Sequence, residues 1–180
     1  MQQFPIRRQK RADILRAKKY LAVECQEVWG GSYFSRTGWS TFIDRNSATP
    51  EWIGENFRRS IQSSEYFNTP GVPFPKGTSA RVNSECEPLK LDFWGKIAEE
   101  FKFKDWRAAS AKTAMVFSRW DYELTDQIEL RASKGRGGGH STWLRGEDDG
   151  TVFHVSINAS NEELGNVIIQ ALNACKPNYL

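Results

Sequence analysis

The sequence lacks several features that would assign it to a common class of protein. It has no run of about 18 apolar residues, so we expect no membrane-spanning helix. Its basic start, MQQFPIRRQKR, has no apolar stretch behind it, so we expect no signal peptide. The three cysteines lie far apart and outside any CxxC pair, which argues against a disulfide framework and against a zinc site. Together these absences predict a cytoplasmic protein with reduced thiols and with no metal or cofactor.

Histidine, the commonest catalytic acid or base, is also scarce, because the chain has only two. His140 borders a glycine-rich loop and His154 lies within a predicted strand, and neither has a local nucleophile signature. The loop itself, KGRGGGH at 134–140, lacks the Gly-Lys-Ser/Thr ending and the following helix of a phosphate loop. We therefore expect a protein that is not an enzyme, with a small nuclease centred on His140 as an alternative.

Aromatic and charged residues are plentiful, and the charges are unevenly distributed. The chain has seven Trp, eleven Phe and a net charge of +3. Residues 1–19 contain seven Lys and Arg against one acid, Asp13, whereas the rest of the chain has a net charge of −3. We interpret residues 1–19 as a basic N-terminal arm and residues 20–180 as a single domain. Such an arm would bind nucleic acid or an acidic partner, or would lie in solvent as a frayed terminus.

A strand–helix motif occurs twice, at residues 41–64 and 152–175, which align without a gap. The alignment places Gly54 on Gly165. In each copy a strand is followed by a capped turn and by a helix with apolar residues at every fourth position. These apolar residues are Ile53, Phe57 and Ile61 in the first copy and Leu164, Ile168 and Leu172 in the second. We interpret the motif as two pseudo-repeated strand–helix units of one fold.

The remaining segments predict more strands than helices. Residues 69–88 contain four prolines and are predicted as a long loop, and residues 89–103 are predicted as a helix. Short runs of alternating apolar and polar residues predict strands at 20–28, 39–44, 111–124, 127–133, 140–144 and 151–158. The fold class is therefore α+β, with a largely antiparallel twisted sheet of about five or six strands and packed helices.

Aromatic and charged residues lie close together in two segments, 119–123 and 136–149. Trp and Arg at this density are typical of interface anchors, because they bury a large area at low entropic cost. The alternative is that the tryptophans are core residues of a small sheet. The acidic run at 147–149 would meet a basic surface or form an ordinary polar turn. The candidate partner-binding residues are Arg119, Trp120, Asp121, Tyr122, Glu123, Arg136, His140, Trp143, Arg145, Glu147, Asp148 and Asp149.

The C-terminal part of the chain resembles a known protein family. A strand pair is followed by a loop that carries His140 and Trp143, and then by another strand. The stretch closes with a capped helix of the form Ser-x-Glu-Glu-hydrophobic-Gly that ends in Ala-Leu-x-x-Cys, here Ser160, Glu162, Glu163, Leu164, Gly165, Ala171, Leu172 and Cys175. This arrangement resembles the C-terminal half of contact-dependent growth inhibition immunity proteins. The strand at Trp39 and the helix at 51–61 resemble their N-terminal half, so the resemblance spans about residues 39–175.

The resemblance implies a function by binding and not by catalysis. It implies a cytoplasmic bacterial immunity protein, an antitoxin in bacterial competition, that binds the C-terminal toxin domain of a cognate effector in a one-to-one complex. Such toxins are commonly nucleases, so it implies a nuclease as partner. Antidotes to nucleases are often acidic, whereas this chain has a net charge of +3, which leaves the toxin's identity open. From the residues alone, a small nucleic-acid-binding module that uses the basic arm and the glycine-rich loop is the alternative.

Overall fold

A computed structural model describes residues 7–136, 139–144, 146 and 150–180, with Arg136 described by its backbone alone. The strands of this part of the chain are β1 (Arg11–Arg16), β2 (Tyr20–Val28), β3 (Ser32–Phe34), β4 (Thr41–Asp44), β5 (Ala114–Trp120), β6 (Gln127–Ala132), β7 (Lys134–Arg136), β8 (Gly139–Ser141) and β9 (Val152–Ser156). Seven of them form one sheet in the order β3-β2-β1-β5-β6-β9, with β4 also paired to β2. All its strand pairs are antiparallel. The strands β7 and β8 form a separate antiparallel hairpin.

Helices pack on both faces of the sheet, which confirms the predicted α+β class with more strands than expected. The helices are α1 (Pro50–Ser63), α2 (Thr78–Glu100), α3 (Trp106–Ser110) and α4 (Asn161–Ala174). Helices α1 and α4 pack on one face, where Ile14, Val116 and Leu130 lie in a single buried cluster with Phe57 and Ile168. Helix α2 packs on the other face over β1 and β2, where Phe93, Trp94 and Ile97 contact Leu15 and Tyr20.

The beginnings of α1 and α4 are set by side chains that the sequence identifies. Thr49 accepts a hydrogen bond from the Trp52 amide at 3.2 Å, and Pro50 occupies the first helical position, where no amide hydrogen is needed. Ser160 accepts a hydrogen bond from the Glu163 amide at 3.1 Å. Both caps confirm predicted helix starts, because they satisfy amides that a helix leaves without partners.

Helices α1 and α4 approach each other closely at two glycines. A Cβ atom built on Gly54 would lie 1.8 Å from the backbone oxygen of Asn161, and one built on Gly165 would lie 1.8 Å from that of Pro50. Each glycine therefore lies against the first turn of the opposite helix, at a separation that no side chain permits. A pseudo-symmetry of whole strand–helix units stays a prediction.

The predicted basic arm at 1–19 is wrong for residues 11–16, which form the central strand β1. This strand pairs with β2 on one side and with β5 on the other. Ala12 and Ile14 are completely buried, and Arg16 is buried with hydrogen bonds to Asn173 and to the Asn178 carbonyl. The alternation of buried and less buried residues in RADILR was obscured by its charges. The nucleic-acid alternative consequently loses the free arm on which it depended.

Two loop predictions are also wrong. Residues 78–88 belong to α2, although Pro88 lies inside the helix. Val82 and Cys86 are buried, whereas Pro88 faces solvent, so burial of the opposite helix face outweighs the one hydrogen bond that proline removes. The glycine-rich segment at 134–140 contributes the strands β7 and β8 instead of remaining a loop.

Candidate functional site

The sheet face opposite α1 and α4 is left partly uncovered over β5, β6 and β9. Successive side chains of a strand point to opposite faces. On β6, Ile128 and Leu130 are therefore buried under α4, while Glu129 and Arg131 lie on the other face and are only half-buried. We call the outward side chains of these three strands the open face; it includes Phe117, Arg119, Gln127, Glu129, Arg131 and His154.

Charges of both signs pair across the open face. Arg119 donates to both carboxylate oxygens of Asp121, at 3.0 and 2.8 Å, and these contacts raise the pKa of Arg119. Arg131 donates to Glu129 at 2.6 Å, and His154 lies 3.9 Å from the same carboxylate. Half-exposed pairs of this kind add little to stability. They can therefore exchange intramolecular partners for the charges of a docking protein.

Two shallow cavities lie on the open face, and Arg119 lines both. The first, of about 290 Å³, is also lined by Phe117, Arg131 and Thr142. The second, of about 240 Å³, is also lined by Arg7, Asp121, Thr125, Gln127, Glu129 and His154. The surface is thus indented and polar, which is suited to a protein partner more than to a small apolar ligand.

The predicted residues 119–123 lie together at one end of the open face, in contact with the segment before β1. The Trp120 and Tyr122 rings meet edge to face at 6.0 Å, and the Lys10 ammonium lies 5.3 Å from the centre of the Tyr122 ring. Arg8 lies 3.5 Å from the Glu123 carboxylate. The aromatic and charged groups of this turn are therefore held in place by residues that are distant in the sequence.

His140 lies within β8 of the β7–β8 hairpin, and Trp143 follows that strand two residues later. The His140 Nε2 atom lies 2.9 Å from the Thr113 hydroxyl, and burial lowers the histidine's pKa. Trp143 lies between the ammonium groups of Lys134 and Lys176, at 5.0 and 5.6 Å from its ring. The candidates Arg145, Glu147, Asp148 and Asp149 and the side chain of Arg136 lie outside the described residues.

An acidic pair, which sequence reasoning missed, consists of the buried Glu24, which lines a pocket with His140, and the half-buried Asp13. Asp13 of β1 is the direct cross-strand partner of Glu24 of β2, which is only 3% exposed. Burial and the proximity of Glu24 raise the pKa of Asp13 to about 8, and burial also raises the pKa of Glu24. Glu24 forms the floor of a pocket of about 310 Å³ whose other lining residues include Trp94, Trp106, Phe117 and His140.

The sequence does contain a signal for the acidic pair and for the polar residues of β6, which were not among the predicted site residues. One acid stands within each of the otherwise apolar runs ADIL and YLAVEC, and Gln127, Glu129 and Arg131 alternate with apolar residues. Alternation shows that these side chains share a face of their strand, but it does not show which strand lies beside them.

Within ranges 7–136, 139–144 and 150–180, no three His, Cys, Asp or Glu side chains are grouped as metal ligands. The three cysteines are buried and free. A search of the same described residues found no helix with the length and hydropathy required for a membrane span. What the geometry offers is a charged surface for recognition, flanked by an acid-floored pocket.

Two solved structures share this fold. The first is a protein of unknown function from Neisseria meningitidis, with a TM-score of 0.74 and 14% identity over 96% of this chain and 99% of that one. The second is described as a CdiA-CT/CdiI toxin and immunity complex from Yersinia pseudotuberculosis, with a TM-score of 0.71 and 15% identity over 93% of this chain and 97% of that one. No curated protein matches the sequence.

Structural similarity at 14–15% sequence identity shows the fold but not the family. A family model supplies the family assignment. The model is described as CDI immunity protein, or CdiI, and it matches residues 10–175. The match confirms the resemblance found in the sequence and extends it to the start of β1. It ends just after α4, so it includes the whole main sheet and both helices beneath it. This chain therefore belongs to the CdiI family, the immunity proteins of contact-dependent growth inhibition systems.

Proposed function

We propose that this immunity protein acts in the cytoplasm by binding the C-terminal toxin domain of its cognate effector in a one-to-one complex. The open face and the turn at 119–123 form the centre of the interface in this proposal. The observation that carries it is the uncovered half of the sheet, where half-exposed ion pairs surround two cavities. Complementary charges of this kind steer encounter and fix the register of a complex.

The toxin in this proposal is a nuclease. An enzyme that acts on nucleic acid presents basic groups to phosphates. The proposed interface offers carboxylates that would meet such groups, namely Asp121, Glu123 and Glu129. Arg119 and Arg131 hold two of these carboxylates in position, at 2.8 and 2.6 Å. The net positive charge of the whole chain is therefore compatible with a local surface that receives a basic partner.

Reversing the charge of Arg119 should weaken toxin binding strongly. Arg119→Glu removes the bidentate contact to Asp121 and places like charges together, so we expect affinity to fall about 10- to 100-fold. The measurement is calorimetric titration with the toxin domain encoded beside this gene, and light scattering of the eluted complex gives the ratio.

The matched control is Lys96→Glu, which makes the same change in net charge on the exposed side of α2. Its affinity should equal that of the wild type. Equal affinity for Arg119→Glu and Lys96→Glu would show that the open face is not the interface. A complex with any ratio other than one to one would overturn the proposed mode of protection.

A further inference from the structure

We propose that the pocket above Glu24 receives one cationic side chain, a lysine or an arginine, from the toxin domain. The source of the cation rests on the proposed function, whereas the chemistry of the pocket does not. The pocket is distinct from the two cavities of the open face, although Phe117 lines both it and the larger of those cavities. A partner on the open face would therefore have this pocket within reach of a long side chain.

One buried carboxyl group lines the pocket and has few partners. Trp94 donates its indole N–H to Glu24 Oε1 at 2.5 Å. Among the described residues Trp94 is the one hydrogen-bond donor to Glu24, and the half-buried Asp13 beside it has none. Paired strand positions bring their Cβ atoms within about 5 Å, so the two acids lie side by side. A buried carboxylate with a single donor is costly, and an entering cation would lower that cost.

The cations already nearby do not complete the site. Lys90 lines the pocket and attracts both carboxyl groups, yet it forms no ion pair with either of them. Arg11 also attracts Asp13, but its guanidinium is hydrogen-bonded to Gln9 and Ser32. Lys90 and Arg11 thus offset part of the acidic charge from a distance, and neither forms a direct ion pair with Glu24 or Asp13.

The walls decide which kind of cation fits. Trp94, Trp106 and Phe117 surround the space, and Leu15 and Met115 complete the apolar lining. Mg²⁺ and Ca²⁺ need six or more oxygen ligands or waters, and Zn²⁺ needs three or four nitrogen, sulfur or carboxylate ligands; these walls supply neither set. A lysine or arginine instead buries its alkyl stem against apolar groups and places its charge over aromatic rings and beside carboxylates. The volume of about 310 Å³ is that of a small ligand pocket.

The first test measures toxin affinity for Glu24→Gln, which keeps the shape of the side chain and removes its charge. Loss of one member of a buried charge pair should weaken binding about 30-fold or more. The control is Glu162→Gln, an exposed acid on α4 beneath the other face of the sheet, which should bind as the wild type does. Affinities within about threefold of each other for the two variants would overturn the inference.

The second test needs no toxin. N-acetyl-arginine amide is titrated into the isotopically labelled protein, and the indole N–H signals of Trp94 and Trp106 are followed by NMR. These signals should shift with millimolar affinity in the wild type and not in Glu24→Gln, whose spectrum also reports that it is folded. The neutral isostere N-acetyl-citrulline amide should cause no shift.

The two tests separate the inference from the proposed function. If arginine amide shifts both indoles but the toxin does not bind, the pocket stands and the proposed partner is wrong. If the toxin binds while arginine amide and citrulline amide act alike, the immunity function stands and the pocket's assignment is overturned.

Discussion

Gly165→Ala is expected to destabilise the protein by about 3 kcal/mol or more. A methyl group at this position would lie 1.8 Å from the Pro50 carbonyl oxygen, and this neighbour is backbone that cannot rotate away. Helices α1 and α4 would have to separate, which opens the core formed by Phe57, Ile168 and their neighbours. Overpacking of a dense core usually costs about 1 to 3 kcal/mol, and a rigid obstacle places this change at the upper end. Chemical denaturation measures it.

The matched control is Gly95→Ala, the same substitution in the exposed part of α2. A Cβ atom there meets nothing within 4 Å. Alanine is favoured over glycine inside a helix by about 0.5 to 1 kcal/mol, so this variant should be more stable than the wild type. Opposite signs for the two substitutions would identify helix contact as the cause. A Gly165→Ala variant as stable as the wild type would contradict the close approach of the two helices.

Asp13→Asn is expected to remove a fall in stability between pH 4 and pH 8. Burial and Glu24 raise the pKa of Asp13 from 3.8 to about 8, so the folded protein retains a proton that the unfolded chain releases. Stability from this group is complete below pH 3.8 and is lost as pH rises toward 8. The loss amounts to about 3 to 5 kcal/mol at pH 8. Denaturation midpoints at several pH values provide the measurement.

Comparison of variants isolates this effect from that of other groups. Glu24 contributes with the same sign, since burial also raises its pKa. His140 contributes with the opposite sign, because burial lowers its pKa and stability then rises as pH passes through 6.5. The control Asp92→Asn removes an exposed carboxylate from α2 and should keep the slope of the wild type. An identical slope in Asp13→Asn would show that the carboxyl group is not buried in this manner.

The acidic pair is therefore expected to lower stability at neutral pH, while Glu24 lines the pocket that we propose for recognition. Replacement of Glu24 or Asp13 by the neutral amide should make the free protein more stable and the toxin complex weaker. These opposite effects distinguish a group kept for binding from one kept for folding. A merely structural carboxyl group would lower both quantities when removed.

Local patterns in the sequence were sufficient to predict helices α1 and α4. Thr49, Pro50 and Ser160 mark their starts, and the apolar residues at every fourth position are the ones that are fully buried. Caps and helical periodicity are properties of a few consecutive residues, so they can be read without knowledge of the fold. The family resemblance rested on the second of these helices for the same reason.

Strand neighbours were not predictable in this way. The position of β1 beside β5 depends on pairing between Ile14 and Val116, about a hundred residues apart, and nothing near either residue records it. The same long-range register places Asp13 opposite Phe117. Its pairing with Glu24 belongs to the neighbouring β1–β2 hairpin. The turn at 119–123 was identified from its composition, whereas its contacts with Arg8 and Lys10 required the sheet.

The central position of β1 has a consequence for the order of events during synthesis. This strand leaves the ribosome about a hundred residues before β5, its second neighbour. Until then one edge of β1 remains without a partner, and pairing over such a sequence distance is slow. A nascent or truncated chain that ends before β5 consequently lacks β5, β6 and β9, the three strands of the proposed toxin-binding face.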